Sequence, residues 1–162
     1  MGDILARHNS WDTYYRKPFG AIPWGSTLRL RIDIGGNKPV DECWLRVWEE
    51  NEREALLSME PRKPSKTLDG YKVVFEIDYE APEEPGPVWY YFLIRSGNDF
   101  YYYGNNREGF GGLGQLSMVE PEAYQITLYI PRKVPNWYKD GIMYHIFVDR
   151  FYRGQAGIDS LM

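Results

Sequence analysis

The sequence predicts an all-β fold, two antiparallel sheets packed face to face, on three observations. Several segments alternate apolar and polar residues with period two, as strands do when one face lies in a core and the other in water. Turn-forming residues separate these segments, with 16 Gly and 11 Pro spread along the chain. No segment shows the apolar spacing of an amphipathic helix.

Taken in order, residues 1–10 read as a lead-in and residues 11–131 as the sandwich. In Leu28-Arg29-Leu30-Arg31-Ile32-Asp33-Ile34 the even positions are aliphatic and the odd ones charged. Gly35-Gly36-Asn37 then breaks the pattern. Cys43 to Trp48 alternates next, with Cys43, Leu45 and Val47 inward and Trp44, Arg46 and Trp48 outward. After the turn Leu68-Asp69-Gly70, the segment Tyr71 to Tyr79 places 71, 73, 75, 77 and 79 on its apolar face. The run Pro82-Glu83-Glu84-Pro85-Gly86-Pro87 leads to a strand whose inner face is Val88, Tyr90, Phe92 and Ile94. Its other face carries Trp89, Tyr91, Leu93 and Arg95, and the turn Ser96-Gly97-Asn98-Asp99 closes it. Tyr124 to Ile130 completes the set. Short strands with frequent turns predict a sandwich of immunoglobulin-like type, although the Cys…Trp…Cys signature of true immunoglobulin domains is missing.

Residues 132–141 read as a linker, since Pro131-Arg132-Lys133-Val134-Pro135 cannot continue a central strand. Residues 142–162 differ in character. Ile142 to Val148 is apolar on both faces apart from His145, as expected of a parallel strand buried on both sides.

With 162 residues, 43% of them apolar, the chain suffices for one domain with attachments and a real core. Its net charge of −4 argues against a nucleic-acid partner, which calls for a basic face. The lone Cys43 excludes an internal disulfide or a multi-cysteine metal site, and its inward position reads as a small buried hydrophobe. The first residues lack the apolar run of a signal peptide, and no stretch approaches the ~20 apolar residues of a membrane span. A cytoplasmic protein without membrane contact is the expectation.

Gly109-Phe110-Gly111-Gly112-Leu113-Gly114 spells a dinucleotide fingerprint, but neither a preceding strand nor a following helix is predicted around it. It reads as a tightly turning loop, and no cofactor is expected. His8 and His145 have no ligand partners near them in sequence, so no metal site is assigned. The polar run of Glu49, Glu50, Glu52 and Glu54, like the cluster Glu83-Glu84, reads as solvated, not as the acid and nucleophile that a retaining glycosidase holds ~5 Å apart. No catalytic residue is assigned.

The aromatic content, 17% with 14 Tyr and 6 Trp, is high. Alternation sends Trp44, Trp48, Trp89 and Tyr91 out of the core, and Tyr101-Tyr102-Tyr103 places a further ring, Tyr102, on an outer face. Outward rings offer flat apolar surfaces to the C–H faces of sugars. They serve equally as packing surface for another domain or a second subunit.

Pro135-Asn136-Trp137, followed by Ile146-Phe147-Val148-Asp149-Arg150-Phe151, resembles the linker and first barrel strand of α-amylase-family glycoside hydrolases. Tyr15-Arg16-Lys17-Pro18-Phe19-Gly20-Ala21-Ile22-Pro23-Trp24-Gly25-Ser26 looks like the start of the N-terminal domain in bacterial members of neopullulanase or pullulanase type. Tyr90-Tyr91-Phe92, Tyr102-Tyr103-Gly104-Asn105 and Gly111-Gly112-Leu113-Gly114 are similar to that family as well. The resemblance implies an N-terminal β-sandwich followed by the first strand of a (β/α)₈ barrel, which needs about 250 residues. Such a chain ends just inside the barrel.

The parent enzyme would hydrolyse α-glucosidic bonds with retention, through an Asp, a Glu and a second Asp on later barrel strands. No position here matches those motifs. Val148 replaces the usual Pro, and Arg153-Gly154-Gln155-Ala156 replaces a run that often helps to bind calcium. The expected role is therefore that of a non-catalytic accessory or scaffold domain in carbohydrate metabolism. Its partners would be a weakly held α-glucan or maltodextrin and a second copy in a homodimer, with Trp44, Trp48, Trp89, Tyr91 and Tyr102 as candidate sugar contacts. The other reading is an immunoglobulin-like interaction or dimerisation module that binds no glucan.

Overall fold

The computed structural model describes residues 4–50, 53–62, 65–67, 70–147 and 150. The chain divides into two units, Met1–Pro131 and Arg132–Met162.

The first unit is an all-β sandwich. One sheet has six strands in the order β1 (Ile4–Arg7), β4 (Thr27–Gly36), β9 (Gly70–Glu80) and β7 (Glu60–Pro61). The short β2 (Arg16–Lys17) pairs with β4, and β8 (Ser65–Thr67) pairs with β9. The other sheet has seven strands: β3 (Ile22–Pro23), β5 (Glu42–Glu49), β6 (Glu54–Ser58), β10 (Gly86–Ser96), β11 (Asp99–Gly104), β12 (Gln115–Ser117) and β13 (Tyr124–Tyr129). Strand β10 is its hub. Strand β5 lies along one side of β10, while β13 and β11 share the other side, and β6 extends the sheet beyond β5.

Alternation builds the core. Leu28, Leu30, Ile32 and Ile34 of β4 are buried, as are Cys43, Leu45 and Val47 of β5 and Val88, Tyr90, Phe92 and Ile94 of β10. They join Phe75, Tyr103, Tyr124, Ile126 and Leu128 in a single cluster fed by both sheets. Cys43 Sγ lies 3.7 Å from Met59 Sδ, and burial pushes its thiol pKa up, which makes it the inert hydrophobe expected.

The two outer faces differ in chemistry. On the six-stranded sheet the register sets Arg29 opposite Asp78 and Arg31 opposite Glu76, and each pair forms an ion pair (2.7 and 2.8 Å). On the seven-stranded sheet the central strands set Trp48 opposite Trp89 and Arg46 opposite Tyr91.

Three expectations are corrected. Residues 4–10 are not a lead-in: β1 pairs with β4, and Ile4, His8 and Ser10 are buried. The seven-stranded sheet is not wholly antiparallel, because β3 runs parallel to β13 through Leu128↔Ile22. No strand forms over residues 142–147, and Ile142, Met143 and Tyr144 are exposed. A strand buried on both faces needs neighbours on both sides, and none pairs with this segment among the described residues. Val148, Asp149 and residues 151–162 lie outside the described residues. Within the expected linker, Asn136–Lys139 forms one helical turn, α1, with Pro135 as its N-cap.

His8 shows why the first residues belong to the core. Its ring sits among Tyr15, Tyr90, Phe92 and Tyr124 at centroid distances of 4.8–5.8 Å. Nδ1 lies 2.7 Å from the Arg31 carbonyl, which can only accept, so Nδ1 carries the proton and Nε2 accepts from the Tyr90 hydroxyl at 3.1 Å. Burial lowers the His8 pKa to about 3; the Arg31 carbonyl opposes that shift and the Arg16 charge reinforces it. The unfolded chain therefore binds a proton here below about pH 6.5 that the folded chain refuses. This contribution is complete above pH 6.5 and is lost as pH falls toward 3. Stability is expected to drop between pH 6.5 and 4.5 with a slope approaching 1.4 kcal/mol per pH unit from this one group. Urea unfolding of the native chain and of His8→Gln at several pH values checks this, and an equal slope in both would refute it.

Candidate functional site

Because partners in register share a face, the outer surface of the seven-stranded sheet can be read across the strands. One row runs Glu54, Trp48, Trp89, Gln125 from β6 through β5 and β10 to β13. The next holds Leu56, Arg46 and Tyr91. A third runs Ser58, Trp44, Leu93, Tyr102, Ser117, the last from β12. Four of the five candidate residues thus lie in two rows of one face, with Tyr91 in the row between them.

Trp48 and Trp89 stack with centroids 6.4 Å apart and planes 22° from parallel. Tyr91 meets Trp48 edge-on at 5.6 Å and Tyr102 edge-on at 5.8 Å. Trp44, Trp48, Trp89 and Tyr102 are half-buried. Tyr91 is only 3% exposed. It points outward, as alternation requires, yet it offers no free ring, because its neighbours on both flanking strands cover it. Its role is to support the others.

Alternation also set Arg46 outward, but its role comes from pairings that the sequence does not show. The guanidinium lies over both Trp48 and Tyr91, at 5.2 Å from each centroid. Nε donates to Glu54 Oε1 at 2.6 Å and Nη2 to Glu54 Oε2 at 3.1 Å. Nη1 donates to the Tyr91 hydroxyl and to Glu120, and that hydroxyl lies 3.0 Å from Glu120 Oε1. The bidentate bond from Arg46 holds the Glu54 carboxyl below the usual carboxylate range. Burial raises the Tyr91 phenol pKa, with Arg46 opposing it. The result is a clamp: one cation and two carboxylates locked among the rings. Exposed Met118 and Val119 lead into Glu120 at its margin.

Two hollows flank this face. A cleft of about 490 Å³ opens beside Trp48, lined by Glu54, Leu57, Ile77 and Tyr79 among others. A smaller one of about 260 Å³ adjoins β13 and is lined by Trp11, Arg16, Phe19, Phe110, Gln125 and Thr127 among others.

The glycine-rich loop takes a structural part at this second hollow. Gly111 and Gly112 both have positive φ, +82° and +79°, which favours glycine. A Cβ on Gly112 would stand 3.1 Å from the Trp11 ring. Ser10 and Gly112 exchange two bonds: Ser10 N–H donates to the Gly112 carbonyl at 3.0 Å, and Gly112 N–H to Ser10 Oγ at 2.8 Å. His145 lies in the second unit, where it stacks on Phe147 at 4.5 Å. Among the described residues no group of three or more His, Cys, Asp or Glu is placed to hold a metal ion. No helix among them is long and apolar enough to cross a membrane.

This geometry defines a β-sandwich module with one charged and one aromatic outer face. The chain is 31% identical over 156 residues to an amylopullulanase of Thermoanaerobacter thermohydrosulfuricus, covering 96% of this chain and 10% of that protein. It is 33% identical over 155 residues to an amylopullulanase of Thermoanaerobacterium saccharolyticum, covering 94% of this chain and 12% of that protein. The chain thus spans about a tenth of the curated relatives it matches. A cyclomaltodextrinase structure superposes with a TM-score of 0.52 at 16% identity, covering 86% of this chain and 22% of that one, and shares the fold. No family model matches. These relatives bear out the resemblance to the α-amylase family, and the chain is a homologue of a segment of amylopullulanases.

Removing the clamp should loosen the face. Arg46→Ala is expected to cost about 1 kcal/mol, since a cation over two rings and a bidentate pair are both lost at a part-exposed site. Arg46→Lys is expected to recover only part of this, because an ammonium lacks the planar fork. Urea denaturation followed by circular dichroism checks both; an unchanged midpoint in Arg46→Ala would show that the clamp contributes no stability.

Proposed function

We propose that this chain is the non-catalytic N-terminal domain of an α-amylase-family enzyme acting on α-glucans, and that it binds glucan weakly on the outer face of its seven-stranded sheet. The observation that carries the reading is the stacked pair Trp48 and Trp89 beside the Arg46 clamp. Half-buried rings present flat apolar surface, while Glu54, Glu120 and Gln125 border it with hydrogen-bonding groups. The opposite outer face sets Arg29–Asp78 and Arg31–Glu76 ion pairs at its cross-strand positions, where this face sets Trp48 against Trp89. The names of the homologues support an enzyme of glucan metabolism as the parent.

Glu54 on this face is a poor general acid. A retaining glycosidase needs one carboxyl kept protonated by a raised pKa. Arg46 does the reverse to Glu54. The purified chain is therefore expected to release no reducing ends from maltodextrin or pullulan; turnover that survives removal of contaminants would refute this.

Glucan binding is expected at about the millimolar level. Each ring contributes about 0.5–1.5 kcal/mol if aromatic pairs are a guide, against the entropy lost on association. Raising the salt concentration should hardly change it, since the ligand carries no charge. Titration with maltoheptaose, followed by tryptophan fluorescence, is expected to respond in the native chain and to weaken severalfold in Trp48→Ala and Trp89→Ala. Lack of response at about 10 mM would leave the rings as packing surface.

One observation favours a second reading, a dimerisation module. Among the described residues strand β6 pairs with β5 alone, and Leu56 on it is exposed. A free strand edge with an apolar side chain is a template for pairing with another chain.

A further inference from the structure

The hollow beside β13 differs from the flat aromatic strip in being concave and in holding a buried cation. Arg16 is 7% exposed. Its Nη1 donates to the Gln125 carbonyl at 3.1 Å and its Nη2 to the Gly20 carbonyl at 2.9 Å. Its Nε is buried and has no hydrogen-bond partner. Arg95 Nε shares the feature, but that guanidinium is already neutralised by Glu42 at 2.5 Å.

Around Arg16 stand three exposed rings, Trp11, Phe19 and Phe110, and neutral polar side chains. Through these two carbonyl bonds Arg16 ties Gly20 to β13 and braces the wall of the hollow. The exposed rings suit the C–H faces of a neutral hydroxylated ligand such as a sugar. At about 260 Å³ the hollow lies below the roughly 300–1,000 Å³ of drug-sized ligand sites, so it suits one sugar ring, not a chain.

Position decides what that ring belongs to. Gln125 lines the hollow and is also the cross-strand partner of Trp89, which is in turn the partner of Trp48. Adjacent strands lie about 4.8 Å apart, so the strip passes directly into the hollow. We propose that the hollow at Arg16, Trp11 and Phe110 is a terminal subsite of the same face. It would take the end unit of an α-glucan whose following units cross Gln125 onto Trp89 and Trp48. This rests on the glucan reading above.

The test follows indole N–H resonances in the full chain, where Trp11 reports the hollow and Trp48 and Trp89 the strip. Linear maltoheptaose is expected to shift all three. A cyclic α-glucan of seven units, which has no end, is expected to shift Trp48 and Trp89 only. Phe110→Ala, on an exposed loop, should weaken maltoheptaose binding about threefold, as loss of one ring contact would, and abolish the Trp11 shift. A Trp11 signal that stays silent while the strip responds overturns this inference and leaves the glucan reading intact. A Trp11 shift with the cyclic glucan overturns the terminal assignment. Silence of all three overturns both readings.

Discussion

The structure depends on one constraint, the two-residue period of β10. This strand has partners along both sides, and each of its residues commits to one face. Val88, Tyr90, Phe92 and Ile94 go to the core, while Trp89, Tyr91 and Leu93 face outward. A one-residue slip would exchange the two sets, burying the Trp89 indole and exposing the centre of the core. Stability and the aromatic surface are therefore held by the same register. The core keeps the rings in rows, and the rows in turn leave little freedom in how β5 and β13 pair.

A second set of contacts joins the chain's beginning to its far loops. The Tyr103 hydroxyl donates to the His8 carbonyl at 2.9 Å and accepts from Gly114 N–H at 3.1 Å. The Tyr124 hydroxyl donates to the Gly112 carbonyl at 3.3 Å. These buried bonds fasten Ser10 and Trp11 against the glycine loop and so shape the rim of the hollow beside β13. Polar groups in low dielectric must be satisfied, which is why this corner uses tyrosine and histidine where an aliphatic core would leave backbone groups unpaired. The homology extends through this corner, since it covers nearly the whole chain. The fold shared with cyclomaltodextrinase at 16% identity shows how few residues such a sandwich prescribes. Outer positions are free to specialise, one face toward ion pairs and the other toward rings.

The sequence by itself determined the strands with strong alternation, their inward residues and the outward sense of Trp44, Trp48 and Trp89. Alternation is a local property of extended backbone and can be read from one segment at a time. Only the tertiary structure decided that Tyr91 is covered, that Arg46 is clamped by Glu54 and Glu120, and that residues 4–10 belong to the sandwich. Those outcomes rest on partners far away in the chain, such as Glu120 for Arg46 and Tyr90 for His8. The short strands β1, β2 and β3 carry too few residues for a period to show, and a parallel pair such as β3 with β13 has no turn to announce it. The segment from Ile142 shows the same limit in reverse: its composition fits a buried strand, but a strand exists only where another strand completes its hydrogen bonds.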